Sequence, residues 1–361
     1  MTPPDAIGLA EFSELHSWTQ DDHALALGAF KFSAQEILAH GHGFGRTSQF
    51  GGILEDWLDV CTKSLETGKA QHFFENEFLP VQMLSHSASL FTGYYEPQVI
   101  GSRTHSTEFS VPIYAKPNDL VAFDREERAQ SGLNYGKRNL DGPQAYFTRK
   151  EIEQGALSGR GLEICFLKSW EDAYFIHIQG NGRILLPDGH ALRLSFAGKN
   201  GHTYKSIGRT LLERGIGLLE TMSMQFLRDW LQANPEAARK LMWDNPSFIF
   251  FSASQVSDEK HGAIGAAKVP LTPLRSLAVD RAFWAFGTPL YLSTHCPPEA
   301  GGEAFNQLMI AQDTGSAIKG IQRGDVYWGW GPQAELNAGH MKQPGKMIAL
   351  LPKLLAERLV K

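Results

Sequence analysis

Five short β-forming runs crowd the last third of the chain, and Gly-rich turns divide them. They are Leu277-Ala278-Val279, Pro289-Leu290-Tyr291-Leu292, Leu308-Met309-Ile310-Ala311, Asp325-Val326-Tyr327-Trp328 and Met347-Ile348-Ala349-Leu350-Leu351. Strands at this spacing predict a small closed barrel. Two carboxylates stand where such runs meet turns: Asp313 in Ala311-Gln312-Asp313-Thr314-Gly315-Ser316-Ala317-Ile318-Lys319-Gly320, and Asp325 directly after Gly324. An acid in apolar, aromatic surroundings is costly unless it is hydrogen-bonded, paired or kept protonated. A protonated carboxylic acid beside aromatic rings is what cleavage of a sugar–sugar bond requires. The structural alternative is an Asp that caps a turn. Two such acids, with Tyr327, Trp328 and Trp330 alongside, favour the chemical reading.

The first part of the chain reads differently. Residues from Glu11 to Phe78 are predicted helical, with apolar residues at helical spacing over Asp21 to Ile37 and Ile53 to Leu65. The Gly-rich break from His40 to Arg46 follows a helical pattern and lacks GxGxxG, so it reads as a linker rather than a nucleotide loop. From Leu90 onward β-like runs alternate with Gly, Pro and Asn turns, among them Val111 to Tyr114 and Ala173 to Ile178. His177, in the second of these, reads as a core histidine on an apolar strand. Thr148 and Glu151 are spaced as a capping box at a helix start. Met222 to Leu231 and Pro235 to Met242 read as two further helices, and Phe248 to Phe251 as a buried strand. Gln179, beside Gly180 and Gly182, reads as a polar side chain on a tight turn.

At 361 residues the chain exceeds a single ordinary core, which predicts two domains. A net charge of -5 and the lack of any Lys/Arg run argue against nucleic acid as a partner. Cys61, Cys165 and Cys296 cannot all pair, and the reading is free thiols. Neither a metal-spaced Cys cluster nor HExxH is present, so no metal is expected. The segment Met1 to Ala6 is neither basic nor followed by a long apolar stretch, and no lipobox cysteine is present. No apolar run approaches the ~20 residues that span a bilayer.

Further motifs recur in order: Phe91-Thr92-Gly93-Tyr94-Tyr95-Glu96-Pro97, His177-Ile178-Gln179-Gly180-Asn181-Gly182, Ala197-Gly198-Lys199-Asn200-Gly201, Tyr204-Lys205-Ser206-Ile207-Gly208, Asn245-Pro246-Ser247-Phe248, Ser276-Leu277-Ala278-Val279-Asp280-Arg281 and the Asp313 and Asp325 segments. Together, from about Phe91 to Lys353, they closely resemble the membrane-bound lytic transglycosylase A (MltA) family with its C-terminal three-Asp (3D) domain. The resemblance implies a mainly β fold with a helical N-terminal region. A double-psi β-barrel would be formed by residues 1–100 with 239–361, and a smaller β domain, 101–238, would be inserted, with a substrate groove between them. It implies a lytic transglycosylase that cleaves the MurNAc–GlcNAc β-1,4 bond of peptidoglycan without water, leaving a 1,6-anhydroMurNAc end. A single Asp serves first as acid and then as base, and no cofactor is needed.

On this resemblance Asp325 is the acid/base, and its pKa must rise by at least one or two units above about 3.9. Asp313 matches a second family Asp, with an orienting or pKa-raising role. The family pattern expects Gly where Ser316 stands, and the segment from Gly320 to Asp325 is one residue longer than expected. Asp280 resembles a third family Asp, for which a salt bridge with Arg281 is the simpler reading. Thr92, Tyr94, Lys319 and Trp328 are candidate glycan contacts beside the acids, and Gln179, Lys199, Tyr204 and Ser206 are candidates from the inserted domain. Core packing for Tyr94 and a solvated surface for Lys319 stand as structural alternatives. The resemblance further implies a monomer in the periplasm or cell envelope, with outer-membrane association and cell-wall synthesis proteins as partners left open. An endoglucanase-like hydrolase with two essential carboxylates, or an expansin-like glycan-binding protein, are the competing readings.

Overall fold

Asp22 accepts hydrogen bonds from the N–H groups of Ala24 and Leu25, each at 3.1 Å, and this cap starts the helix His23–His40. Gly41, at φ 60°, ends it. The computed structural model describes residues 7–84, 89–219, 222–256 and 262–360. The segment Met1 to Ala6 lies outside the described residues. The chain divides into two compact units, residues 1–95 with 260–361 and residues 96–259.

In the first unit, the expected helices appear as His23–His40, Glu55–Glu66 and Ala70–Glu77. Their buried face packs Phe30 on Phe73, Phe74 and Phe78, with Trp57 closing the cluster. Each buried ring contributes roughly 1.5–3 kcal/mol of hydrophobic stabilisation. A nine-stranded sheet runs in the order Ile7–Leu9, Phe78–Met83, Lys346–Pro352, Pro289–His295, Ala304–Asp313, Ser276–Val279, Arg323–Trp330, Leu90–Glu96, Lys342–Gln343. The five β runs expected in the last third all lie in it. Asp21 ties the helical region to this sheet: its carboxylate pairs with Arg275 at 2.8 Å and accepts from the Leu308 N–H at 2.7 Å.

The second unit holds a six-stranded sheet in the order Ile249–Gln255, Ala191–Lys199, Asn181–Leu185, Gln98–Ser102, Glu163–Leu167, Val111–Tyr114, and a separate three-stranded sheet. Strand Ile249–Gln255 pairs along Ala191–Lys199, so this unit runs past the boundary expected at residue 238. It also carries helices, including Met224–Ala233 and Pro235–Trp243, near the two helices expected there. The expectation of a mainly β chain therefore gives way to a mixed α/β one.

The largest local departure is Ala173 to Ile178, expected as a strand and found inside the helix Trp170–Gln179. Five consecutive residues, Ala173 to His177, are buried, so no polar face shows the helical period. The signals that decide it lie at the ends: Ser169 accepts from the Asp172 N–H, and Gly180 closes the helix at φ 72°. His177 is thus a helical core residue. Its Nδ1 accepts from Arg149 Nη1 at 2.9 Å, and burial, then the Arg149 charge, hold its pKa well below 6.5. Gln179 is the last residue of that helix rather than part of a turn. The Thr148–Glu151 capping box forms as expected, with Thr148 N–H donating to Glu151 at 2.8 Å. Cys61, Cys165 and Cys296 are free thiols, and burial pushes Cys61 and Cys165 up to about 12.

Glu96 is fully buried between two arginines, Arg193 Nε at 3.2 Å and Arg183 Nη2 at 3.5 Å. Burial raises its pKa, and the two guanidiniums oppose that rise. Removing one member of a buried ion cluster leaves uncompensated charge, which costs about 3–5 kcal/mol. Glu96→Gln should therefore destabilise the second unit by about 3 kcal/mol, read as a lowered urea midpoint; an unchanged midpoint would show that the cluster contributes little.

Candidate active site

The strand Ser276–Val279 builds the site. It pairs parallel with Ala304–Asp313 on one side and antiparallel with Arg323–Trp330 on the other. Ala278 is the register partner of both Asp313 and Asp325. Residues directly opposite in a sheet share a face, so the two acids flank Ala278 on one surface. Neighbouring strands lie about 4.8 Å apart, which puts the two Asp Cα atoms about 10 Å from each other. Alternation assigns the rest. Leu277, Val279 and Val326 enter the main core, while Ala278 and Tyr327 cluster with Tyr94, Leu271 and Ile318 on the other face. The Tyr94 and Tyr327 rings lie 5.2 Å apart.

Thr92 and Tyr94 reach this face from the adjoining strand Leu90–Glu96. Thr92 Oγ1 donates a hydrogen bond to Asp325 Oδ1. Arg323 Nη2 donates to the same Thr92 oxygen at 2.7 Å. Asp325 keeps part of its surface open to solvent, yet protein crowds it enough that burial raises its pKa to about 6. The Thr92 hydrogen bond and the Arg323 charge pull the other way, and the Asp313 charge adds to the rise. Asp313 Oδ1 accepts from the N–H groups of Ala266 at 3.0 Å and Thr314 at 2.9 Å. Burial still raises its pKa. Tyr94 Oη lies close enough to feel both acids without a well-aligned hydrogen bond to either. Burial and those charges hold it well above 10, so it remains a donor.

The loop between the two acids is fastened at several points. Thr314 Oγ1 donates to Val279 O at 2.8 Å, and Gly320 N–H donates to Asp280 Oδ2 at 2.9 Å. Ser316 is not at positive φ, so its place in the family's Gly position carries no strain. Asp280 pairs with Lys319 at 3.8 Å rather than with Arg281. Arg281 instead lies 3.8 Å over the Phe286 ring and donates to Gly43 O and Trp284 O. Lys319 is exposed, with Asp280 as its ion-pair neighbour. Trp328 also departs from expectation. Alternation turns it to the opposite face from Asp325, where it packs with Tyr95, Ala334 and Ala338 and donates to Met341 Sδ at 3.3 Å.

The candidates in the second unit are Gln179, Lys199, Tyr204 and Ser206. Gln179 ends a helix and Lys199 ends the strand Ala191–Lys199. Ser206 caps the helix Ile207–Glu213 by accepting from the Arg209 N–H, and Tyr204 is 45% exposed. The neighbouring motif asparagines are consumed internally. Asn200 donates to Phe147 O and Pro246 O and accepts from Phe248 N–H, while Asn245 accepts from Lys205 and Ser247 N–H. Arg323 is the site residue that the sequence reading missed. It shares the alternation of Asp325 and Tyr327, but its partner Thr92 is 231 residues away.

Residues 90–252 match the MltA specific insert domain, and residues 275–351 match the 3D domain. The membrane-bound lytic murein transglycosylase A of Vibrio cholerae is 36% identical over 266 residues, 72% of this chain. The chain belongs to the MltA family. That alignment spans 65% of the Vibrio cholerae protein, slightly under two thirds of its length. Among solved structures, the membrane-bound lytic murein transglycosylase of Agrobacterium tumefaciens superposes with a TM-score of 0.87 at 35% identity, covering 98% of this chain and 99% of that one. Escherichia coli MltA with bound chitohexaose superposes with a TM-score of 0.68 at 29% identity, over 98% and 93%. In this MltA chain, therefore, the Asp313 and Asp325 strands both lie in the 3D-domain segment, and Thr92 and Tyr94 lie in the segment matched to the insert.

A carboxylate whose folded pKa exceeds its unfolded value makes the folded state bind its proton more tightly. Asp325 should thus weaken the fold progressively as pH rises from about 3.8 to about 6. Two units correspond to at most about 2.7 kcal/mol, which partial solvent contact reduces. Asp325→Asn should be more stable than wild type by about 1–2 kcal/mol at pH 7 and equal to it near pH 3.5. Thermal melts at both pH values check this, and a variant no more stable at pH 7 would contradict the raised Asp325 pKa.

Proposed function

We propose that this chain is a lytic transglycosylase that cleaves the MurNAc–GlcNAc β-1,4 bond of peptidoglycan. The observation that carries the reading is Asp325: a half-buried residue whose carboxyl pKa burial raises to about 6, on the sheet face it shares with Asp313, Thr92 and Tyr94. Asp325 gives its proton to the glycosidic oxygen as the C1–O bond breaks. The carboxylate left behind takes the proton of the MurNAc C6 hydroxyl, whose oxygen bonds C1 and closes the 1,6-anhydro ring. Proton and electron pairs balance without water. Asp313 helps to keep Asp325 protonated. The family relationship, and a glycan hexamer bound in the Escherichia coli relative, support an extended glycan as substrate. The same relationship supports two finer readings: closure of the nine-stranded sheet as a double-psi β-barrel, and a place in the cell envelope. Among the described residues no helix is long and apolar enough to cross a membrane.

The test is mass spectrometry of the soluble products released from purified sacculi. Ends carrying 1,6-anhydroMurNAc support the proposal. Reducing ends with an added water would make the chain a two-carboxylate hydrolase, and bound protein without soluble products would make it a glycan-binding module. Asp325→Asn should lower turnover by about 10²–10⁴-fold. Because the first step needs the protonated acid, wild-type activity should fall as pH rises through about 6. In Asp313→Asn a negative neighbour is lost, so that descending limb should move to lower pH with a smaller loss of rate.

A further inference from the structure

The contact between Thr92 and Asp325 has a third member that fixes its polarity. Arg323 has no acceptor atoms, so the 2.7 Å contact from Nη2 to Thr92 Oγ1 is a donation by the guanidinium. Thr92 has a single hydroxyl hydrogen, and Asp325 Oδ1 is its partner. Arg323 is itself held firmly: Nη1 donates to Leu90 O at 3.3 Å and to Gly324 O. Both strands that carry Thr92 and Asp325 therefore also anchor the guanidinium.

We infer that Arg323 is a positioning residue that acts through Thr92, locking that hydroxyl as a donor to Asp325 Oδ1 and so directing the acid's exchangeable proton to Oδ2. With Oδ1 always an acceptor, only Oδ2 carries the proton that leaves in the acid half of the reaction. The same oxygen receives the C6 hydroxyl proton in the base half. The fixed donor also stabilises the carboxylate formed between the two halves. The groups facing Asp325 are Arg323 and Tyr327 from its own strand, Thr92 and Tyr94 from the adjoining one, Asp313 across the central strand and the uncharged Ala278 between them. Arg323 is the positive charge in that set, and it opposes the upward pull of burial on Asp325.

This inference rests on Asp325 being the acid/base, and its test includes a readout that does not need activity. Carbon-13 NMR of labelled Asp carboxyls, assigned through Asp325→Asn, gives the Asp325 pKa directly in wild type, Arg323→Met, Arg323→Lys, Thr92→Val and the double variant Thr92→Val/Arg323→Met. Arg323→Met should raise the Asp325 pKa by roughly one unit, and Arg323→Lys should restore part of it. The effect of Arg323→Met should shrink in the Thr92→Val background, because the two residues act as one chain. In turnover, the descending pH limb should move upward with the measured pKa, and the rate at the optimum should fall by roughly tenfold. An unchanged pKa in Arg323→Met, or full additivity with Thr92→Val, would overturn the relay. If Arg323→Met does not fold, Arg323→Lys and Thr92→Val decide the matter: a pKa that moves in neither overturns it as well. Wild-type protein with the expected pKa pattern but no anhydro products would instead sink the proposed reaction and leave the relay standing.

Discussion

Everything at the acid pair depends on one four-residue strand having two neighbours of opposite direction. Ser276–Val279 accepts Ala304–Asp313 as a parallel partner and Arg323–Trp330 as an antiparallel one, and Ala278 sits opposite an Asp in each. The small Ala278 side chain leaves room between the acids, while Leu277 and Val279 fix the strand in the core below. A shift of one residue in either register would turn an Asp into that core. The chemistry is therefore specified by hydrophobic packing on the far face of the same sheet.

Buried carboxylates elsewhere in the chain are well supplied with donors, as Asp21 is in the first unit. In the second, Glu153 accepts from Arg149 at 3.2 Å, Arg239 at 2.7 Å and the Trp243 indole at 2.8 Å, and Arg149 continues to His177 and Ser247 O. Glu96 has its two arginines. These carboxylates are surrounded by donors, as buried acids normally are. Asp325 has one hydroxyl donor and one arginine acting largely through it. Of these acids, the one with the thinnest compensation is the one assigned the proton transfer, and burial raises its pKa to about 6.

Much of this was legible in the chain, for identifiable reasons. The Thr148–Glu151 box and the helix caps are local codes, spelled within four residues. The apolar runs of the last third stand out between Gly-containing turns, so the presence of these strands is visible. The helix Trp170–Gln179 was hidden because burial on every side erases the periodicity by which helices are read. The face of Trp328 was available from simple alternation, three residues from Asp325, and a tryptophan beside an acid was the more tempting assignment. Sequence adjacency pairs Asp280 with Arg281, whereas the structure gives it Lys319, 39 positions on. Arg323 could not be assigned at all, since what defines it is a threonine on a strand more than two hundred residues earlier.

The placement of the insert bears on how such distant partners meet. Gln98 pairs with Arg183, Arg183 with Arg193, and Arg193 with Ser254, one row across four strands. Three strand spacings separate the two ends of the row, about 14 Å. Once the second unit has folded, a stretch of some 160 residues acts as a short tether between Tyr95 and the residues after 260. Loop-closure entropy grows by about 0.6 kcal/mol per doubling of length; Thr92 and Asp325 are 233 residues apart, so taking the folded unit out of that loop leaves about 75 residues, between one and two doublings or about 1 kcal/mol. A folded insert thus makes it easier for the Thr92 strand to join the Asp325 strand, although its own sheet contains neither acid.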